Sequence, residues 1–489
     1  MLPSRPHDRP TGLDRAAGVL LAALVLSVAF VLPPVGALPI PEAVAATKLL
    51  ALRWGVALAI SVLAAMALVQ YWRGGRAALP RRPALRHDAA APLLLACSAL
   101  VGLTITSMVL CANPAHAFRE SAPLLFPATL ALCVGWAGLR PAPHATLAGA
   151  LLLGLVLSAT VLMQAIGWNP YAWAYDFAML RPQERGRFIA TLGNPEFLGG
   201  FLAPLLAMWV AAGVMLLPSL GAPARPRARR WAVFASVVGG AGLLLLGLLT
   251  TGTRSALLAV ALGMAFGLWS ARRLPAGVPI GGLWRAAVLT VGLVVVAVVL
   301  VPPVRESVRH LVQRSLHGIN LQSPSVSERV LFNVVALRMA LDAPLLGVGP
   351  GRFAAAFHPT LLAMEEQRPA TGLKMLLLRT DEKGADNAHN DYLQFAAELG
   401  WPGLLAFLAL AAAIVAGRAG SPPTPSLILL QVGLITLLTS SLFSFPMRSP
   451  ARAMLFWALV ALLIAELRRP ASQPAGAPTE GQLPHSTPA

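Results

Sequence analysis

The sequence predicts an all-α, polytopic membrane protein with about twelve transmembrane helices, and three observations carry that expectation. Of its 489 residues, 57% are hydrophobic and only 12% are charged, about half the charged fraction of a soluble domain. Mean hydropathy is +0.70. The apolar residues also come in blocks that reach the roughly 20 residues needed to cross a bilayer as a helix.

Taken in order, the blocks cover approximately 16–38, 54–71, 91–111, 121–139, 145–167, 197–217, 231–250, 254–271, 283–302, 391–416, 424–444 and 451–467. The N-terminus from Met1 to Arg15 is basic. The apolar run behind it is too long for the h-region of a cleaved signal, so it reads as a retained first span. The eighth block is short and barely separated from the seventh by 251–254. One broken element, and a count of eleven or thirteen spans, therefore stays open. Residues 1–470 read as a single membrane domain. The tail 471–489 is rich in Pro, Ser, Gly and Thr and reads as disordered. No internal repeat is visible.

The net charge of +18 and pI near 11.4 raise the question of nucleic acid. The arginines instead cluster in short loops between apolar blocks, without aromatic interleaving or a nucleic-acid motif. Orientation across a membrane explains them. With the N-terminus inside, Arg73, Arg76, Arg81, Arg82, Arg86, Arg140, Arg225, Arg227, Arg229, Arg230, Arg272, Arg273, Arg418, Arg468 and Arg469 share one side. Both termini are then cytoplasmic. Cys97, Cys111 and Cys133 lack metal-ligand spacing and are too few for a disulfide framework, so they read as small buried hydrophobes.

Two segments on the opposite, outer side are too long to be mere connections. Trp168 to about Glu196 is rich in aromatics and charge, and a longer segment runs from about 303 to 388. In the latter, Ser325-Val326-Ser327-Glu328 is a capping-box pattern ahead of an amphipathic stretch from Arg329 to Asp342, which Pro344 and Gly347 stop. Two or three helices are expected there, lying over the outer face.

The polar run Asp386-Asn387-Ala388-His389-Asn390-Asp391-Tyr392 closes that segment directly before a span. Polar groups at membrane depth are costly and tend to mark function. Arg187, Arg254 and Arg448 are assigned to the same outer side from three other loops, with Asn194 beside the first. Two guanidinium groups suit a diphosphate, which they bind as a fork while keeping their charge. A histidine near them suits a general base. Together they fit attack of a hydroxyl on a sugar carbon with a lipid diphosphate leaving. The plainer readings are snorkelling arginines, a hydrogen-bonding His389, and Asn390 and Asp391 as helix caps. Only the coincidence of all four on one face weighs against them.

Other candidates carry less. Gly347-Val348-Gly349-Pro350-Gly351 lacks the Gly-Lys-Ser/Thr ending of a phosphate loop and reads as a turn. His310, His317 and His358 are scattered, without the carboxylate company at i, i+4 expected of a metal site. No Asp-x-Asp pair suggests a cation-dependent nucleotide-sugar enzyme. No cofactor and no metal are expected.

These residues resemble the O-antigen ligase and O-antigen polymerase superfamily of bacterial envelope glycosyltransferases. Its pattern is matched by His389-Asn390, nine residues, then Gly400-Trp401-Pro402-Gly403. Pro344 to Phe353, Gly193-Asn194-Pro195 and Thr253-Arg254-Ser255 resemble further family segments, and the likeness covers roughly 165–465. Glu196 departs from the Asn more often met at that position. The resemblance implies that His389 activates the acceptor hydroxyl, and that Arg187 and Arg254 hold the diphosphate of an undecaprenyl-linked glycan. Arg185 and Arg181 are neighbours that blur the assignment of Arg187. Asn390, Asp386, Asn194 and Arg448 would support the site, and Gly400 and Gly403 would serve close helix packing. It further implies a metal-independent transferase in the bacterial inner membrane, working at the periplasmic face on the lipid A-core of lipopolysaccharide. A polymerase joining lipid-linked repeats and a protein O-oligosaccharyltransferase need the same donor site. A lipid-linked sugar transporter is the rival without chemistry; it would place titratable residues near mid-membrane on broken helices.

Overall fold

The computed structural model describes residues 11–31, 40–74, 88–170, 188–220, 226–273, 280–317, 324–367, 385–417 and 423–469. Among them the fold is helical throughout. The helices are α1 (Gly12–Phe30), α2 (Ile40–Gly74), α3 (Ala91–Leu110), α4 (Pro114–Trp136), α5 (Pro143–Ala165), α6 (Pro195–Leu220), α7 (Arg227–Thr251) and α8 (Arg254–Ala271). They continue as α9 (Ile280–Leu300), α10 (Pro302–His317), α11 (Pro324–Asp342), α12 (Phe353–Gln367), α13 (Asp391–Ala416), α14 (Pro425–Ser440) and α15 (Pro450–Leu467).

Ten of these helices are long and apolar enough to cross a membrane, and an eleventh candidate is the pair α9–α10, bent by 107° at its break. The prolines Pro302 and Pro303 fall at that break and remove backbone donors there. Helix α14 is a shorter apolar helix. Every expected block thus has its helix, and α7 and α8 are two helices parted by the left-handed Gly252. The tail 471–489 lies outside the described residues.

Three boundaries differ from expectation. Helix α1 ends at Phe30 rather than near 38, ahead of Pro33 and Pro34 in the sequence. Helix α2 begins at Ile40 rather than near 54. Lys48 and Arg53 interrupt the apolar pattern that would have revealed its first turns. The buried ammonium of Lys48 donates to the carbonyls of Val28, Ala29 and Val31 at 3.0, 2.6 and 3.1 Å, so it closes the open end of α1. Helix α4 starts at Pro114 on the Asn113 cap, earlier than 121, and continues through Pro123 and Pro127.

Helix α15 is the centre of the bundle. All of it, from Pro450 to Leu467, is buried, against α1, α2, α4, α6 and α14. A helix apolar over most of its surface belongs inside a bundle; Arg452 and Glu466 are its charged exceptions. Its C-terminal end is locked by Arg468, whose Nε and Nη2 donate to Asp88 Oδ2 at 3.0 and 2.7 Å. These side chains are only 5% and 1% exposed. Asp88→Ala, which leaves the buried guanidinium without its counter-charge and with only the Gly135 carbonyl as acceptor, is expected to cost about 3–5 kcal/mol. Thermal unfolding in nanodiscs reads this directly, and an unchanged midpoint would remove the lock.

The described part of the long segment 303–388 forms three helices, α10, α11 and α12. Helix α11 starts at Pro324, so Ser325 to Glu328 lie in its first turn rather than ahead of it. It packs on α13, and α12 packs on both. The following turn, Gly347–Gly351, meets α13 backbone to backbone. Val348 N donates to Ala397 O at 2.9 Å, Gly349 N to Glu398 O at 3.1 Å and Trp401 N to Pro344 O at 2.9 Å. Helix α13 breaks there at Gly400, with φ 71° and ψ −171°. The expected helix-packing role of Gly400 is therefore corrected: it serves a kink that admits a loop. A Cβ on Gly347 or Gly400 would overlap the facing backbone.

Candidate active site at one end of the bundle

His389 stands one residue before the N-cap of α13, in the left-handed region at φ 53°. Such a backbone is costly for a non-glycine residue and persists only where surroundings impose it. Its neighbours are fixed from both sides. On one side, Ala388 N donates to Gln394 Oε1 at 2.6 Å. Gln394 Nε2 donates to Glu398 Oε1 at 2.8 Å, and Glu398 pairs with Arg448. On the other side, Asn390 Oδ1 accepts from Tyr392 N and Leu393 N at 3.0 and 3.2 Å. Next to it, the buried Asp391 carboxylate accepts from Ser441 Oγ at 3.0 Å and Met447 N at 3.2 Å. The loop between α14 and α15 is thereby tied to the start of α13.

The imidazole stacks on Phe332 of α11, with centroids 5.9 Å apart, and meets Phe445 edge-on at 4.9 Å. Its Nδ1 is buried and without a hydrogen-bond partner among the described residues. Three charged groups act on it: Glu196 of α6, Arg329 of α11 and Arg452 of α15. Arg329 Nη2 lies 3.6 Å from Glu196 Oε1. Arg452 is wholly buried; it donates to Ser444 Oγ at 2.9 Å, and its guanidinium lies 4.7 Å from the Phe197 ring centroid. Gly200 leaves the room that Arg452 occupies against α6.

Burial holds the imidazole below its ordinary value near 6.5; Glu196 pulls the other way, and Arg329 and Arg452 add to the lowering. The ring is thus neutral near pH 7 and able to accept a proton.

The expected residues are distributed as follows. Arg254 is the first residue of α8 and is exposed. Its turn is seated on the start of α6, where Thr253 Oγ1 donates to Pro195 O at 3.3 Å. This brings the turn to the end of the bundle where Glu196 lies. Asn194 caps α6, its Oδ1 accepting from Glu196 N at 2.7 Å. Asn390 likewise caps α13. Asp386 is exposed. Arg448 is engaged with Glu398, so it braces α13. Arg187, with Arg185 and Arg181, lies outside the described residues.

Among the described residues, no group of three or more His, Cys, Asp or Glu side chains is placed to hold a metal. His310 does have a carboxylate one turn away, contrary to expectation, with Nε2 3.9 Å from Glu306 Oε2. The i, i+4 spacing was plain in the sequence, and among the described residues the pair belongs to no group of three such side chains. Sequence reading also missed Arg452, although a lone arginine inside the last apolar block was the signal.

Fold and site together define a polytopic membrane protein with a polar, histidine-containing centre at one end of its bundle. Residues 239–408 match the family model described as O-antigen ligase, and this match supports the O-antigen ligase superfamily for the chain. Members of that family are glycosyltransferase-like enzymes with O-antigen ligase- or polymerase-like activity. The matched region contains both Arg254 and His389. No curated protein matches the chain.

Proposed function

We propose that this is an O-antigen ligase-like glycosyltransferase that moves a glycan from undecaprenyl diphosphate to the lipid A-core of lipopolysaccharide. The observation that carries the reading is the half-buried imidazole of His389, held in an aromatic slot between Phe332 and Phe445 inside the family-matched region. His389 takes the proton of the acceptor hydroxyl as its oxygen bonds to the sugar carbon. The bond from that carbon to the diphosphate oxygen breaks, and the diphosphate leaves with the electron pair. Arg254, with Arg187 from the preceding outer loop, stabilises the charge that develops on it. No step calls for a metal.

The site is assigned to the periplasmic face of the inner membrane, with both termini cytoplasmic. Arg140, Arg272, Arg273, Arg468 and Arg469 follow helix ends on the side away from His389, as the positive-inside bias requires. Residues 1–470 then form one membrane domain.

Purified protein in nanodiscs, given an undecaprenyl-diphosphate glycan and chelator, tests the reading against three acceptors. Transfer to lipid A-core is expected. Transfer only to a lipid-linked repeat would make it a polymerase, and transfer only to peptide a protein glycosyltransferase. Glycan translocation in liposomes without transfer to any acceptor would overturn the enzyme reading.

A further inference from the structure

Glu196 stands in the first turn of α6, in the midst of the site. Geometry places it beside His389: its partner Arg329 lies one turn from Phe332, the ring that stacks on His389, and Phe445 touches both the adjacent Phe197 and His389. Its Oε1 is buried without a hydrogen bond among the described residues, as is Nδ1 of His389. No ion pair within 4.0 Å joins the two side chains among the described residues. The carboxylate sits instead against Arg329 at 3.6 Å, with Ser444 and Arg452 beside it. The other nearby charges are otherwise committed: Asp391 to Ser441 and Met447, and Arg448 to Glu398.

We infer that Glu196 is a positioning residue of this site, whose carboxylate stabilises the imidazolium formed when His389 takes the acceptor proton. Nδ1 of His389 is buried without a hydrogen bond, and Oε1 of Glu196 has only the 3.6 Å approach of Arg329, so neither group is fully compensated before the proton moves. Proton transfer converts that deficit into an attraction. Arg329 has the opposite effect. It partly neutralises Glu196 and repels the imidazolium, so α11 sets how strongly the carboxylate acts. The inference rests on His389 being the base, and the test separates the two.

Histidine-labelled protein in nanodiscs is titrated by NMR, with the His389 signal assigned by its loss in His389→Asn. Glu196→Gln, which keeps the side chain's shape, is expected to lower the His389 midpoint by about half a pH unit or more. Arg329→Gln is expected to raise it. In the transfer assay, Glu196→Gln is expected to reduce kcat by about 10- to 100-fold, a share of what general-base catalysis contributes. KM should stay within a few fold, and the acid limb of the pH profile should move down. Glu196→Asp should recover part of the rate. Shifts of opposite sign in the two variants support the inference, because a merely structural glutamate would not produce them. An unmoved midpoint in Glu196→Gln overturns it, whatever the transfer assay gives. Full transfer by His389→Asn would remove the base itself, a separate failure that leaves the titration interpretable.

Discussion

Replacing His389 with alanine is expected to reduce glycan transfer by about 10²–10⁴-fold, the range that a positioned general base contributes. The protein should still fold. His389 Nδ1 makes no hydrogen bond among the described residues, so truncation strands no partner there. The backbone at Ala388 and Asn390 is held by Gln394 and by the α13 cap. What is lost is ring packing with Phe332 and Phe445, worth about 0.5–1.5 kcal/mol per aromatic pair. Because alanine tolerates φ 53° poorly, His389→Asn serves as the second variant; asparagine accepts positive φ more readily. Both variants should elute as folded protein and fail in transfer. Wild-type transfer should be flat near neutrality and fall only below the ordinary histidine value of 6.5, because the folded site resists protonation. For the same reason folding stability falls as pH drops through about 6.5, where the unfolded chain binds the proton more readily. Transfer by folded His389→Asn at near wild-type rate would end the assignment of His389 as base.

The largest stability effect away from buried charge is expected at Gly400. At φ 71° and ψ −171° this residue occupies a region essentially reserved for glycine, and a Cβ there would overlap the carbonyl of Pro344. Strain and overlap together should make Gly400→Ala cost about 2–6 kcal/mol. The damage would reach the site. The same contact seats the 347–351 turn over Glu398, whose carboxylate braces Gln394 and hence Ala388. Gly239→Ala is the control, since a Cβ there meets nothing within 4 Å. In a helix interior that change should be neutral or gain about 0.5–1 kcal/mol. Equal unfolding midpoints for the two variants would show that the kink is not required.

Much of this architecture was legible in the chain because hydropathy reports directly on burial in lipid. Each apolar block became a helix, and the punctuation around 324–347 marked α11 and its end. The pattern failed where one helix satisfies another. Lys48 looked like a break in an apolar run because nothing local shows that three carbonyls of α1 receive it. The site was legible in part. His389 and Arg254 stood out because charge and hydrogen-bonding capacity are rare here. Glu196 and Arg329 come together only through the packing of α11 over the bundle, which no spacing in the sequence encodes. Arg452 was visible as a charge inside a span, but its partners Ser444 and Phe197 emerge only from the fold.

The burial of α15 has a consequence for how the protein is made. The chain is inserted in order, so the helix around which the bundle closes emerges after α1, α2, α4, α6 and α14, the helices that surround it. Until Pro450–Leu467 arrives, those helices share a vacant axis in the bilayer. Arg452 arrives with it, carrying the last cation to reach His389. Completion of the bundle and completion of the charge set around the imidazole are thus one late event, and a nascent chain halted before α15 holds neither.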